Sequence, residues 1–287
     1  MPIARFGPAG KPIGFNGDID EIPRYLYGEG LDAFEYQAVR WGSRPQIAMS
    51  KAKSLKEESE KYNTKLSMHA SYFINLSGRE DVVKDSIERL KAALTAASWM
   101  GAYIVVFHPG YYGGRSHRDA LDLCRQALKI IADWMEMENL SGIYLGLETT
   151  GKRSQLGSID EVLELSISVP YARPVVDWAH LYARELGSIK DKDDIIAVLG
   201  KLEKVLGSDY VKKEMHCHYS RIEYGKSGER EHHNLDEKSY GPDFDTIAEA
   251  LLEIGVNPTI ICETPLLDID AVKMKSIWRN LGGETLV

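Results

Sequence analysis

Eight short apolar runs rich in β-branched and aromatic residues alternate with longer stretches of helical spacing along this chain of 287 residues. They are IARFG, AFEYQ, KLSMH, YIVVFH, YLGLE, PVVDW, KEMHCH and TIICE. Strands separated by helices build βα units and a parallel sheet. Eight such units in this length predict an α/β fold, a (β/α)8 TIM barrel, with its active site at the C-terminal ends of the strands. The 44% hydrophobic content supplies one large core, and no linker or internal repeat divides residues 1–287, so a single domain is expected.

The intervening segments carry helix starts and stops. Ser77 followed by Glu80 predicts a capping box, Val83, Ile87, Leu90 and Leu94 then mark one apolar face, and Gly101 ends the helix. Ser116 with Asp119, Ser158 with Glu161, and Asp243 predict three further starts. The segments GGRSH, GKRSQ and YGKSGER are expected to be loops.

Charge and cysteine usage narrow the functional classes. A formal net charge of −8 argues against nonspecific affinity for polyanions. Yet Arg40, Arg44, Arg79, Arg115, Arg118, Lys152, Arg153, Arg221, Lys226 and Arg230 all follow predicted strands, which would make one barrel face locally basic. Cys124, Cys217 and Cys262 are few and far apart, which fits a reducing compartment rather than a disulfide framework. MPIARFGPAGKP lacks the layout of a secretory signal, and the uncharged run from Ala92 to His108 is too short to span a bilayer. A cytoplasmic monomer with no membrane contact is expected.

Histidines and carboxylates cluster at the predicted strand ends. His69, His108, Glu148, Asp177 with His180, His216 and Glu263 fall on six consecutive strands, so barrel closure would bring them to one pocket. The stretch MHCHYSRIEYGKSGEREHH adds His218, His232 and His233. Mixed imidazole and carboxylate donors suit Zn2+, with Mn2+ or Fe possible, better than calcium. The set exceeds what one catalytic zinc needs, so two or three ions are expected, with Glu148 as a bridge. Such clusters suit displacement at phosphorus.

These residues lie in HASYFINL, FHPG, ETTGKRSQLGS, VDWAHLYA, MHCHYS and ICETP, and over nearly its whole length the chain resembles endonuclease IV, the abasic-site endonucleases of TIM-barrel fold. The resemblance implies that His69, His108 and Glu148 hold one ion and that Glu148, Asp177, His216 and Glu263 hold a second, with Glu148 and Glu263 carrying catalysis. A third ion would take His180 and an Asp-x-His pair, but Arg230 stands where the aspartate should be. Glu229 with His232 is the preferred substitute, and Glu231 with His233 the other. His218 would line the pocket or hydrogen-bond a ligand. Another departure is Thr149, where the commoner form has Asn, in a loop one residue shorter.

The implied activity is hydrolysis of the phosphodiester 5′ to an abasic site in double-stranded DNA, leaving a 3′-hydroxyl and a 5′-deoxyribose phosphate, without a nucleotide cofactor. Tyr72, and Arg40 with Trp41, would fill the gap or stack on exposed bases; Arg79, Arg115, Arg118, Lys152 and Arg153 would contact phosphates. Two alternatives stand beside this reading. One is a metal-dependent sugar isomerase or epimerase resembling xylose isomerase, and the other is a protein that binds abasic DNA without cutting it.

Overall fold

The computed structural model describes residues 1–287, the side chain of Glu214 excepted. Its central feature is a (β/α)8 barrel. The strands are β1 (Ile3–Pro8), β2 (Ala33–Gln37), β3 (Lys65–His69), β4 (Ile104–Phe107), β5 (Tyr144–Glu148), β6 (Ala172–Asp177), β7 (His216–Tyr219) and β8 (Thr259–Cys262). They pair in parallel from β2 through β8 and back to β1. The expected runs are all present, but the seventh strand begins at His216, after a helical turn at Tyr210–Glu214.

Closure between β1 and β2 depends on a close approach. A Cβ built on Gly7 would lie 1.7 Å from the Ala33 carbonyl oxygen, so a side chain there would force the strands apart. Asp32 N–H donates to Phe6 O, and a bridge between Ala9 and Glu35 completes the ring.

The helical ring follows local chemistry at most of its ends. Ser116 and Ser158 accept hydrogen bonds from the backbone of Asp119 and Glu161, and Ser158 forms a full capping box. Gly101 ends the helix Glu80–Met100 at φ 72°, a left-handed conformation that favours glycine. Ser77 departs from expectation: this helix begins after Arg79, and the Ser77 hydroxyl instead donates to Tyr111 O at 2.7 Å. Tyr111 belongs to a small ladder, Gly110–Tyr111 against Gln155–Leu156, that ties the loops after β4 and β5 together. The segment expected as the loop YGKSGER is a β-hairpin, Arg221–Gly225 against Gly228–His233, standing above β7. Among the described residues, no helix is long and apolar enough to cross a membrane.

The core lies between the outer faces of the strands and the helices. Phe6 of β1 is buried edge-on against Phe244 and Trp278, each with ring centroids 6.2 Å away. Truncation removes both aromatic contacts and leaves a cavity. Phe6→Ala is expected to lower unfolding stability by about 3–5 kcal/mol, measured by equilibrium denaturation.

Candidate metal centre

Strands of a parallel barrel end on one face, so the last residues of β3 to β8 converge there. Glu148, at the end of β5, lies fully buried among them. Its Oε2 is 3.1 Å from both His69 Nε2 and His108 Nε2. Its Oε1 is 3.2 Å from His218 Nδ1 and 3.3 Å from His180 Nδ1. Five groups of potential cation donors lie among the described residues, and three of them meet at this face: His69, His108 and Glu148; Glu148, Asp177, His218 and Glu263; and His180, Glu229 and His232. The other two are Glu35, His216 and His218, deeper in the barrel, and Glu223, Glu231 and His233 on the segment after β7. Glu148 belongs to the first two of the three at this face and joins them.

Several imidazoles are anchored through one nitrogen and turn the other inward. His69 Nδ1 is 2.8 Å from Ala70 O, His180 Nδ1 is 2.9 Å from Thr149 O, and His232 Nδ1 is 3.2 Å from Glu263 O. A carbonyl oxygen can only accept, which assigns the proton to Nδ1 and leaves Nε2 as a lone-pair donor in the neutral ring. For His69 that lone pair faces Glu148, and for His180 it faces Glu229 Oε2 at 3.7 Å. Acceptor set against acceptor is stable only with a proton or a metal ion between them.

The electrostatics agree. Burial alone would lower the pKa values of His69, His180 and His218, yet the surrounding carboxylates raise all three. Burial would raise Glu148, but His108 and His218 hold it well below its usual value. Asp177 is raised by burial and by its neighbours Glu263 and Glu148, against the pull of His180. Its Oδ2 is buried without a hydrogen-bond partner. An orphaned carboxylate oxygen within a group of three carboxylates and an imidazole fits a divalent cation. Thr149 fixes this corner: its hydroxyl accepts from Asp177 N–H at 3.0 Å, and its carbonyl orients His180.

The third group depends on a β-bulge. In a regular strand, residues three apart point to opposite faces, which would separate Glu229 from His232. Here Ile222 pairs with His232, Glu223 with Glu231, and Tyr224 with Glu229, so Arg230 is the extra residue. Paired residues share a face, and the bulge therefore returns Glu229 and His232 to the same side. Glu231 and His233 fall with Glu223 on the other side, away from His180, which excludes them from this group. The hairpin also clasps the loop after β5: Glu229 N–H donates to Gly151 O at 3.1 Å and Arg153 N–H to Ser227 O at 3.0 Å. A Cβ on Gly151 would lie 2.6 Å from the Glu229 Cβ, so glycine permits this contact. Beneath it, buried Arg184 donates to the carbonyls of Lys152 and Gln155 at 2.8 and 3.0 Å.

Other expected residues fall in less uniform positions. His216 is not in the second group. It lies in β7 opposite Thr259, one layer below the rim, and His218, which pairs with Asp177, occupies the place expected for it. Trp41 is buried against Tyr36 and is unavailable for stacking on a base. Arg221 is also buried, bonded to the carbonyls of Leu235 and Tyr240 and to Asp243. Arg79 and Arg118 face carboxylates, Asp81 for the first and Asp122 and Glu164 for the second. Arg115 donates to Ser77 O, while Arg40, Lys152 and Arg153 are exposed. Tyr72 stands at the mouth with its ring 5.2 Å from that of His69, and Phe73 beside it is 62% exposed. Phe73 was not among the expected residues, although it stands next to Tyr72 in HASYFINL. A cleft of about 240 Å³ opens between the rings of Tyr72 and His69, Lys152, Glu229 and Glu263.

Known proteins share this fold. Residues 24–276 match the family model described as "Xylose isomerase-like TIM barrel". The chain is 36% identical to the uncharacterized protein MJ0133 of Methanocaldococcus jannaschii, covering 96% of this chain and 97% of that one. It is 22% identical to a probable endonuclease 4 of Thermotoga sp. strain RQ2, covering 86% of each. Among solved structures, endonuclease IV from Thermus thermophilus superposes with a TM-score of 0.71 at 20% identity, over 94% of this chain and 96% of that one. A D-tagatose 3-epimerase-like protein gives 0.62 at 24% identity, over 88% of each.

The bulge generates a test. Deleting Arg230 would leave a regular hairpin in which Glu229 and His232 still share a face. The deletion variant is expected to bind as many zinc ions as the unaltered protein, whereas inserting an alanine between Glu231 and His232 should cost one ion per chain, measured by elemental analysis after dialysis.

Proposed function

We propose that this chain, which belongs to the Xylose isomerase-like TIM barrel family, is a DNA-repair endonuclease that uses a multi-zinc centre to hydrolyse the phosphodiester 5′ to abasic sites, leaving a 3′-hydroxyl and a 5′-deoxyribose phosphate. The observation that carries this reading is the set of three donor groups, two of them joined through Glu148. His69, His108, Glu148, Asp177, His180, His218, Glu229, His232 and Glu263 would hold the ions. When bound, divalent ions supply Lewis acidity and neutralise the charge that develops on a phosphodiester during displacement.

The chain's own groups would bind and orient the substrate. A phosphate within a duplex cannot reach a barrel-end cleft unless its nucleotide is rotated out, and extrusion is least costly where no base is stacked or paired. Tyr72 at the cleft mouth and exposed Phe73 present apolar rings to the vacated space. Lys152, which lines the cleft, and exposed Arg153 and Arg40 would hold flanking phosphates. Arg115 would contribute from the loop after β4.

The group Glu148, Asp177, His218 and Glu263 is by itself a complete one-ion site, which favours a sugar epimerase as the second reading. That reading leaves the His69–His108 pair and the hairpin carboxylate without a task.

The deciding experiment uses metal-replete protein and a labelled duplex with one abasic analogue. A single cut 5′ to the lesion is expected, and Glu148→Gln should reduce it to background while circular dichroism remains unchanged. An intact duplex, together with turnover of a ketose, would sink the nuclease reading in favour of the epimerase. Binding without cutting under zinc or manganese would identify a silent lesion binder. Lys152→Gln and Arg153→Gln should each reduce the slope of log K against log salt by about 0.9, if each residue neutralises one phosphate.

A further inference from the structure

Below the centre, inside the barrel, lies a second layer of polar groups. Glu35 of β2 is fully buried, and each of its neighbours can donate to it. Its Oε2 is 2.9 Å from the Ser67 hydroxyl, 3.2 Å from His216 Nε2 and 3.2 Å from His218 Nε2, while Oε1 is 3.2 Å from Gln37 Nε2. His216 Nδ1 is in turn 2.6 Å from the Tyr103 hydroxyl. A carboxylate accepts and a phenol can donate. One proton arrangement therefore satisfies every contact: Tyr103 donates to His216 Nδ1, and both imidazoles carry their protons on Nε2 and donate to Glu35.

That arrangement decides which atom His218 offers the centre. With Nε2–H committed to Glu35, the His218 lone pair is on Nδ1, 3.2 Å from Glu148 Oε1 and 3.2 Å from Glu263 Oε1. We infer that Glu35, held in place by Ser67, His216 and Tyr103, is a positioning residue that fixes the tautomer and ring orientation of His218 and so strengthens binding of a divalent cation at Glu148, Asp177, His218 and Glu263. The inference rests on the centre holding metal, and not on DNA being the substrate. A carboxylate behind a ligating imidazole locks its orientation and raises its basicity, and loss of such a partner typically costs about 10–100-fold in metal affinity. His216 thus acts two contacts away from the centre, bonded to the carboxylate that holds the ligand.

The test is titration of the intact ion-free protein with Co2+, read by visible absorption and by competition with a chromophoric chelator. Glu35→Gln keeps the size of the side chain and removes its charge. It should leave the number of ions unchanged, weaken one of them by about 10–100-fold and shift its absorption bands, with Glu35→Asp recovering part of the affinity. Equal affinities and spectra in Glu35→Gln and the unaltered protein would overturn the inference and leave the metal centre standing. Loss of one entire ion would also overturn it, and would make Glu35 and His216 ligands of a separate buried ion. Failure of the unaltered protein to bind any ion would overturn both the inference and the metal centre. A second measurement needs no Glu35 variant: histidine ¹⁵N NMR of the zinc-loaded protein, with His218 assigned by loss of its signals in His218→Gln. It should find the proton on Nε2, and a proton on Nδ1 would contradict the inference.

Discussion

The arrangement depends on a carboxylate withdrawn from water and given several partners at once. Glu148 is fully buried, and its two oxygens face different imidazole pairs, His69 with His108 and His180 with His218. An isolated ionised carboxylate in such a place would be strongly disfavoured. Around it stand Asp177 and Glu263, so the local negative charge needs cations or protons to be stable. The barrel meets this requirement geometrically. Strands β3 to β8 each bring a candidate donor to a common face, and anchoring contacts at Ala70, Thr149, Glu263 and Glu35 aim several of the imidazoles.

The third group has a different origin. Its two hairpin members do not sit on barrel strands, so their placement depends on a hairpin packed against the loop after β5. The contact is close enough to require glycine at residue 151, and Arg184 braces the loop from below. Together with the His69–His108 pair, this third group is what the group Glu148, Asp177, His218 and Glu263 lacks when taken alone. It rests on loops, the part of a fold that varies most readily.

Much of the framework was legible in the sequence because it is local. Apolar runs located the eight strands, and Ser116, Ser158 and Gly101 marked helix ends through contacts within a few residues. What required pairing information was not legible. His216 and His218 lie on the same face of β7, and only the register with Asp177 and Thr259 shows which one reaches the rim. The relation of Glu229 to His232 was equally hidden, since a spacing of three predicts opposite faces until the bulge at Arg230 is seen. Trp41 looked like a rim aromatic because it follows a strand, yet it packs into the core. Glu35 could have been noticed: a carboxylate in the middle of the apolar run AFEYQ needs a reason to be buried.

On the proposed reading, Glu148 joins two ion sites and the hairpin completes a third. Anomalous diffraction at the zinc edge, from crystals of the protein grown with zinc, tests it most directly. Three peaks are expected: two about 3.5–4 Å apart near Glu148 and a third among His180, Glu229 and His232. A single peak within Glu148, Asp177, His218 and Glu263, or none at all, would contradict that reading.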